Sequence, residues 1–411
     1  MDHFGSVTAH DAHDLASELN ASHDLTHTMI RVWRALHAQP ELSNQEFLTT
    51  ALLETELAAA GVESRRIGAT GIVADLPGDP NGGTVALRAD LDALPISEET
   101  TLTFRSQVPG VMHACGHDAH AAMLLGALLT AQQMPDRPGT IRAIFQPAEE
   151  AEPLGARAVI AGGHLKDVRA ALALHVDPQL PTGRIALRGG VMMASSDVFR
   201  ITVTGRSSHA GWPQLGADAI AASAALIHQA QATLSRRIDP RIPVALNFGR
   251  IHGGAAYNVI ADHVLIEGVI RTLNETTRSQ VRELLGEVVT STCQAFGARG
   301  ELTVAIGEPT LVNDTYLAGL LRRAGEAVLG REGVCDMEQP TMSGEDFAFY
   351  GLHVPVAMAW IGVGGREQAD SAERYPLHHP LFSLDESAIP LGAAVLLRAG
   401  LAVLQDCHRR T

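Results

Sequence analysis

Cysteine is scarce in this 411-residue sequence, which has only Cys115, Cys293, Cys335 and Cys407. Four scattered thiols cannot form a disulfide scaffold, so a reducing, cytoplasmic setting is expected. Positive charge is also short. Against 46 Asp and Glu stand 31 Lys and Arg, a formal net charge of −15. That balance argues against nucleic acid or an anionic membrane as partner. The start of the chain has no apolar signal core, and no apolar run is expected to approach the roughly 18 residues of a membrane span. What remains, 46% hydrophobic and 19% charged, is ordinary globular composition. The length exceeds a single core and implies two domains. Residues 1 to about 24 are rich in His and Asp without periodicity. They read as a solvated tail or irregular first turn, with metal binding as the alternative.

The densest chemistry lies in Met112-His113-Ala114-Cys115-Gly116-His117-Asp118-Ala119-His120. One thiol and three imidazoles fall just before an Ala- and Leu-rich helical run, Ala121 to Met134. Gly116 permits an unusual turn between Cys115 and His117. A helix start also favours a deprotonated sulfur, so the arrangement suits metal ligation. A buried cysteine with polar neighbours is the other reading.

Upstream, Met29, Val32, Trp33 and Leu36 have the i, i+3, i+4, i+7 spacing of an amphipathic helix. Ser43 to Glu46 reads as a capping box opening a second helix with Leu48, Leu52, Leu53 and Leu57 inward. Three apolar runs then read as buried strands: Thr84–Ala89, Thr140–Phe145 and Ala170–Leu174. Each ends in polar groups. After the first come Asp90 and Asp92, which could ligate a metal, orient a metal-bound His from behind, or simply shape the turn before Pro95. After the second come Glu149 and Glu150, whose side chains must diverge, so that one could bind a metal while the other holds a water. The third delivers His175. In open α/β sheets the site lies at the carboxyl ends of the strands, and packing does not explain such convergence.

Between about residues 187 and 301 the pattern is β-α-β-β-α-β, which fits a split ferredoxin-like insert. His209 lies there on a glycine-flanked turn and could be functional, although the residues alone slightly favour a surface histidine. The chain then returns to the first domain, where a strand over Val356–Ile361 precedes His378 and His379.

Together these residues resemble the metal-dependent aminoacylase and carboxypeptidase family. Within it the nearest group is the hippurate hydrolases, N-acyl-amino-acid amidohydrolases and auxin-conjugate hydrolases. The markers are Arg88-Ala89-Asp90-Leu91-Asp92-Ala93-Leu94-Pro95, the His113 to His120 motif, Gln146-Pro147-Ala148-Glu149-Glu150 and Leu174-His175. The resemblance implies an α/β fold: a zinc-peptidase-like catalytic domain with a mixed sheet and helices on both faces, residues 1–186 and 302–411. A ferredoxin-like α+β lid and dimerisation domain, residues 187–301, would interrupt it. It implies two divalent ions per subunit (Zn, Mn or Co) bridged by Cys115. His117 and His175 would complete one site, and Glu150 and His378 the other. Glu149 would be the general base, with Asp90 and Asp92 behind the ligands. On the lid, His209 and Asn258 would reach the oxyanion and Arg271 would hold the acidic end of the substrate, an N-acyl amino acid or similar small amide. The assembly would be a homodimer or a dimer-based oligomer. The lid motif here runs His209-Ala210-Gly211-Trp212-Pro213-Gln214, with Gln214 where many relatives carry a second His and with Trp212 present. Two other readings are a cysteine amidase using Cys115 and a non-catalytic metal-binding homologue. The first leaves Glu149, Glu150, His175 and His378 without a task. The second would be expected to have lost Glu149.

Overall fold

The computed structural model describes residues 23–365 and 374–410, so the His-rich start up to residue 22 lies outside the described residues. In chain order come helices α1 (His23–Ala38) and α2 (Phe47–Ala59) and strands β1 (Ser64–Arg66), β2 (Ile72–Leu76) and β3 (Thr84–Asp90). Helix α3 (His117–Gln132), strand β4 (Thr140–Gln146), helix α4 (Gly155–Ala161) and strands β5 (Val168–Asp177) and β6 (Ile185–Leu187) follow. Next are β7 (Ser195–Thr204), α5 (Ala219–Arg237), β8 (Val244–Gly253), β9 (His263–Thr272), α6 (Glu275–Ala295) and β10 (Arg299–Ile306). The chain closes with α7 (Thr315–Leu329), β11 (Val334–Asp336), β12 (Val356–Gly362) and α8 (Ala388–Arg410).

These elements form two compact units. The first comprises residues up to Gly190, Val312–Glu338 and Phe349–Thr411; the second is Val191–Leu311 with Gln339–Ala348. In the first unit eight strands lie in the order β1-β2-β4-β3-β5-β12-β6-β11. The central strands β4, β3, β5 and β12 run parallel. Their apolar runs are buried almost throughout, as strands covered on both faces require. Helix α1 buries Met29, Val32, Trp33 and Leu36, the stripe its spacing predicts. Helix α3 is buried nearly along its whole length, which explains why it is Ala- and Leu-rich on every face. Contrary to the expectation of no such run, residues Ala388–Asp406 of α8 are long and apolar enough to cross a membrane. In this fold 72% of that segment is buried.

Helix α2 departs from expectation. Leu48 is exposed, and Glu46 does not cap the helix through a capping box with Ser43. Glu46 is instead fully buried and accepts the backbone N–H of Ala148, 2.7 Å away. Ser43 donates to Asp92 at 2.6 Å. Both side chains of the apparent box are therefore recruited by the loops described below.

In the second unit the antiparallel sheet has the order β10-β7-β9-β8, and α5 and α6 pack on it around Phe199, Leu226, Ile266 and Leu285. This is the ferredoxin-like order. The expected boundary at residue 301/302 would cut β10, which pairs with β7 through Ile306; the unit instead runs on to Leu311. Within it Asp197 is fully buried and accepts from Arg278 Nε at 3.0 Å, Arg282 Nη1 at 3.3 Å and the N–H of Gly307 at 3.1 Å. Strand β8 is an edge, and most of its residues are exposed.

Candidate metal centre

Three parallel strands bring their carboxyl ends together in the first unit. Strand β3 ends on Asp90, β4 runs into the loop carrying Glu149 and Glu150, and β5 carries His175 before it finishes at Asp177. Cys115 sits just before α3, whose first residue is His117. Gly116 between them adopts φ +81°, and a Cβ there would come within 2.5 Å of Val176 Cγ2. Only glycine meets both demands, left-handed backbone and close approach to β5. The turn is thereby pressed against the strand that supplies His175.

The ligand atoms of Cys115, His117 and His175 lie within 4.8 Å of one another, and those of Cys115, Glu150 and His378 do likewise. Cys115 belongs to both groups. His117, Glu149 and Glu150 form a further such group. The loops that converge here are strained: Ala148 and His378 have φ +48° and +64°. Such backbone costs on the order of 1–3 kcal/mol per residue and persists only where the surroundings hold it. Here Glu46 grips the Ala148 N–H, and the N–H of His378 donates to the carbonyl of Ala114 at 2.8 Å.

Hydrogen bonds fix which nitrogen of each ring faces the cluster. Nδ1 of His117 is 3.1 Å from Asp92 Oδ1, while its buried Nε2 has no hydrogen-bond partner. Asp92 also accepts the N–H of Glu150 at 2.9 Å, so one carboxylate orients two members of the set. His175 gives its Nδ1–H to its neighbour's carbonyl, that of Val176, at 2.9 Å, and its Nε2 lies 3.5 Å from Cys115 Sγ. His378 Nε2 lies 3.3 Å from Glu150 Oε1. Asp90 stands behind this set, bound to Arg88 at 2.9 Å and to His120 Nδ1 at 2.5 Å.

The electrostatics follow from burial and charge. Burial raises the Cys115 thiol and lowers His175, which the neighbouring His120 lowers further. Burial also opposes charge on His117, but Asp90 and Cys115 outweigh it and push its pKa well up. Hydrogen bonds to Cys115 and then Glu150 raise His378 to about 10. Buried thiol, imidazole and carboxylate donors that converge in this way favour positive charge among them. A buried His117 Nε2 that makes no hydrogen bond and lies 3.6 Å from Asp90 and 3.9 Å from Glu150 fits a divalent cation of the zinc class.

Of the three imidazoles in the motif, only His117 presents a nitrogen to this cluster. His113 is buried with neither nitrogen partnered, and burial lowers it to about 4. His379 stacks on Tyr375 and belongs to none of these ligand groups. The remaining expected site residues, His209, Asn258 and Arg271, belong to the second unit. There His209 pairs with Val259 in an isolated bridge, and Ala210 N–H donates to the Asn258 carbonyl at 3.1 Å, so His209 and Asn258 share one loop pair. Gly211 N–H donates to His209 Nδ1 at 3.0 Å, which leaves the proton on Nε2. Arg271 donates to the carbonyl of Met342 at 3.0 Å. Sequence reasoning missed Glu46, Ser43 and His120, whose partners are distant in the chain, and Arg88, which binds both nearby Asp90 and distant Gln146.

Parallel strands that deliver thiol, imidazole and carboxylate to one buried cluster define a hydrolase of the metallopeptidase type. The chain belongs to peptidase family M20/M25/M40, matched over residues 86–401. It is 39% identical to N-acetyl-L-cysteine deacetylase of Bacillus subtilis (strain 168), over 93% of this chain and 90% of that protein. It is 34% identical to IAA-amino acid hydrolase ILR1-like 5 of Arabidopsis thaliana, over 92% and 87%. A crystal structure from Bacillus subtilis, described as a dinuclear metal binding peptidase from the M20 family, superposes with TM-score 0.80 at 33% identity and covers 93% of this chain and 99% of that one.

Proposed function

We propose that this enzyme is a dinuclear metal amidohydrolase that cleaves N-acyl amino acids, or similar small amide conjugates, to a carboxylic acid and a free amino acid. The observation that carries the reading is Cys115, whose sulfur belongs to two three-residue ligand groups at once. His117 and His175 would hold one ion with it, Glu150 and His378 the other. Divalent ions held there would supply Lewis acidity and lower the pKa of a water towards ~7. Glu149, grouped with His117 and Glu150, takes the water's proton and later delivers it to the departing amine. His209 Nε2–H, its tautomer set by Gly211, donates to the oxyanion with Asn258 beside it. Arg271 holds the substrate's carboxylate. The exposed edge strand β8 supports a homodimer, in which the lid of one protomer would serve the site of the other. The three free cysteines among the described residues agree with a cytoplasmic protein.

The 3.5 Å approach of His175 Nε2 to Cys115 invites a cysteine-nucleophile reading. A thiolate–imidazolium pair needs a lowered thiol and a raised imidazole. Between Cys115 and His175 the thiol is raised and the imidazole lowered, whereas the raised imidazoles beside the thiol, His117 and His378, are engaged by Asp92 and Glu150. Chelation separates the two: a metal enzyme loses all hydrolysis of N-acetyl, N-benzoyl and long-acyl amino acids and regains it with Zn, Mn or Co. A cysteine amidase keeps working in chelator.

A further inference from the structure

His120 closes the motif as a third imidazole near the cluster. Its ligand-type atoms also lie within 4.8 Å of those of Asp90 and His117. It is nevertheless spent. Nε2 is 2.9 Å from the N–H of Val176, which can only donate, so Nε2 must accept and the ring proton sits on Nδ1. Nδ1 gives that proton to Asp90 Oδ1. Asp90 is itself anchored by Arg88, and Arg88 Nε donates to Gln146 Oε1, which also accepts from Tyr350. All of His120, Asp90, Arg88 and Gln146 are buried.

The place of this bond in the sheet gives it meaning. Strands β3 and β5 pair only as far as Arg88 and Ala173. Beyond that point β5 carries His175 with its β3-facing edge outside the ladder, while its other edge still pairs with β12 through Asp177. The N–H of Val176, one residue past His175, is buried at this unpaired edge and would have no ladder partner. His120 supplies one. Its ring also meets the His175 ring edge-on at a centroid distance of 4.7 Å.

We propose that His120 is a positioning residue: it replaces the missing ladder bond at the end of β5 and thereby holds His175 in ligating orientation, with Asp90 fixing the tautomer that makes this possible. The inference rests on the metal-site assignment above. Its consequence is selective, because His175 belongs to only one of the two groups that share Cys115. The affinity for one ion should depend on His120 and the affinity for the other should not.

The test is a zinc titration of apo-protein against a competing chromophoric chelator, with cobalt(II) absorption read in parallel, for wild type, His120→Ala and His120→Gln. Wild type should bind two ions. His120→Ala should weaken one of them by about 10- to 100-fold, the usual range for a group that orients a ligand, and alter one cobalt band set while the other ion keeps its affinity. Gln can both accept from Val176 and donate to Asp90, so His120→Gln should recover much of the loss and also serves if the Ala variant fails to fold. Equal weakening of both ions, or a lowered apo melting temperature with both affinities intact, would overturn the positioning role. Wild-type protein that binds no zinc would instead overturn the metal-site assignment itself.

Discussion

The two units present their chemistry in opposite ways. In the first, Cys115, His117 and His175 are buried, and each ring is tied at its far nitrogen, His117 by Asp92 and His175 by the Val176 carbonyl. In the second, His209 and Asn258 are exposed on a loop pair that is ordered by its own backbone bonds. Buried, over-determined groups can hold a fixed geometry without help. Exposed groups held only locally make sense where a further surface, substrate or second protomer, completes their surroundings. The contrast predicts that substitutions in the first unit act on metal binding or on the chemical step, and that those in the second act on transition-state contacts and selectivity.

The sharpest way to break that contrast lies within Glu149 and Glu150. Glu149→Gln should retain both metals and substrate affinity yet lower kcat by at least about 10², the low end for general acid–base work. Glu150→Gln should lose metal. Metal analysis beside steady-state kinetics checks both, and swapped phenotypes would reverse the assignment within the pair.

A second measurement asks whether the exposed loop works on its own chain. Glu149→Ala and His209→Ala protomers, each inactive alone, are mixed after dissociation and reassociation. If His209 acts across the dimer, one site per mixed dimer has both groups, and a fraction of wild-type activity returns. Mixed dimers verified by mass spectrometry but wholly inactive would place His209 in its own chain's site.

The smallest effect concerns Trp212, exposed and 5.0 Å from the His209 ring. An aromatic neighbour of that kind contributes roughly 0.5–1.5 kcal/mol. Trp212→Ala should therefore change the ratio of kcat/KM for N-benzoyl over N-acetyl substrates by about 2- to 10-fold, with metal content unchanged. An unaltered ratio would remove Trp212 from substrate selection.

Much of this was legible in the sequence, for reasons that particular residues make plain. The strands over Thr84–Asp90 and Thr140–Gln146 could be read because strands covered on both faces must be continuously apolar. The ferredoxin-like order could be read because its two helices separate four alternating strands. Cys115, His117, Glu150, His175 and His378 could be named because they stand in motifs that resemble a known family, and the structure brings them together. What could not be read depends on partners far away in the chain. Glu46 looks like a helix cap and is diverted to Ala148, 102 residues later. Leu48 fits the apolar stripe of α2 and yet faces solvent. His120 looks like a ligand until the N–H of Val176 is found on its Nε2. A boundary at 301/302 falls inside β10, whose own alternation runs on to Ile306, where its pairing with β7 ends.

The discontinuity of the first unit has a consequence for how the protein is made. The sheet and helices of the second unit are contiguous between Ser195 and Ile306, whereas the first unit is completed only by His378 and α8, which follow it in the chain. Helix α8 lies on β3, where Gly400 lets it approach Leu87. Chains grow at about 5–20 residues per second and domains tend to fold as units. The ferredoxin-like unit can therefore form while the ribosome is still translating, and the first-unit core must wait, its central strands lacking their last cover, until α8 has emerged. Ribosome-stalled chains ending near residue 345 should show a protease-resistant fragment over the second unit and none over β3 to β5.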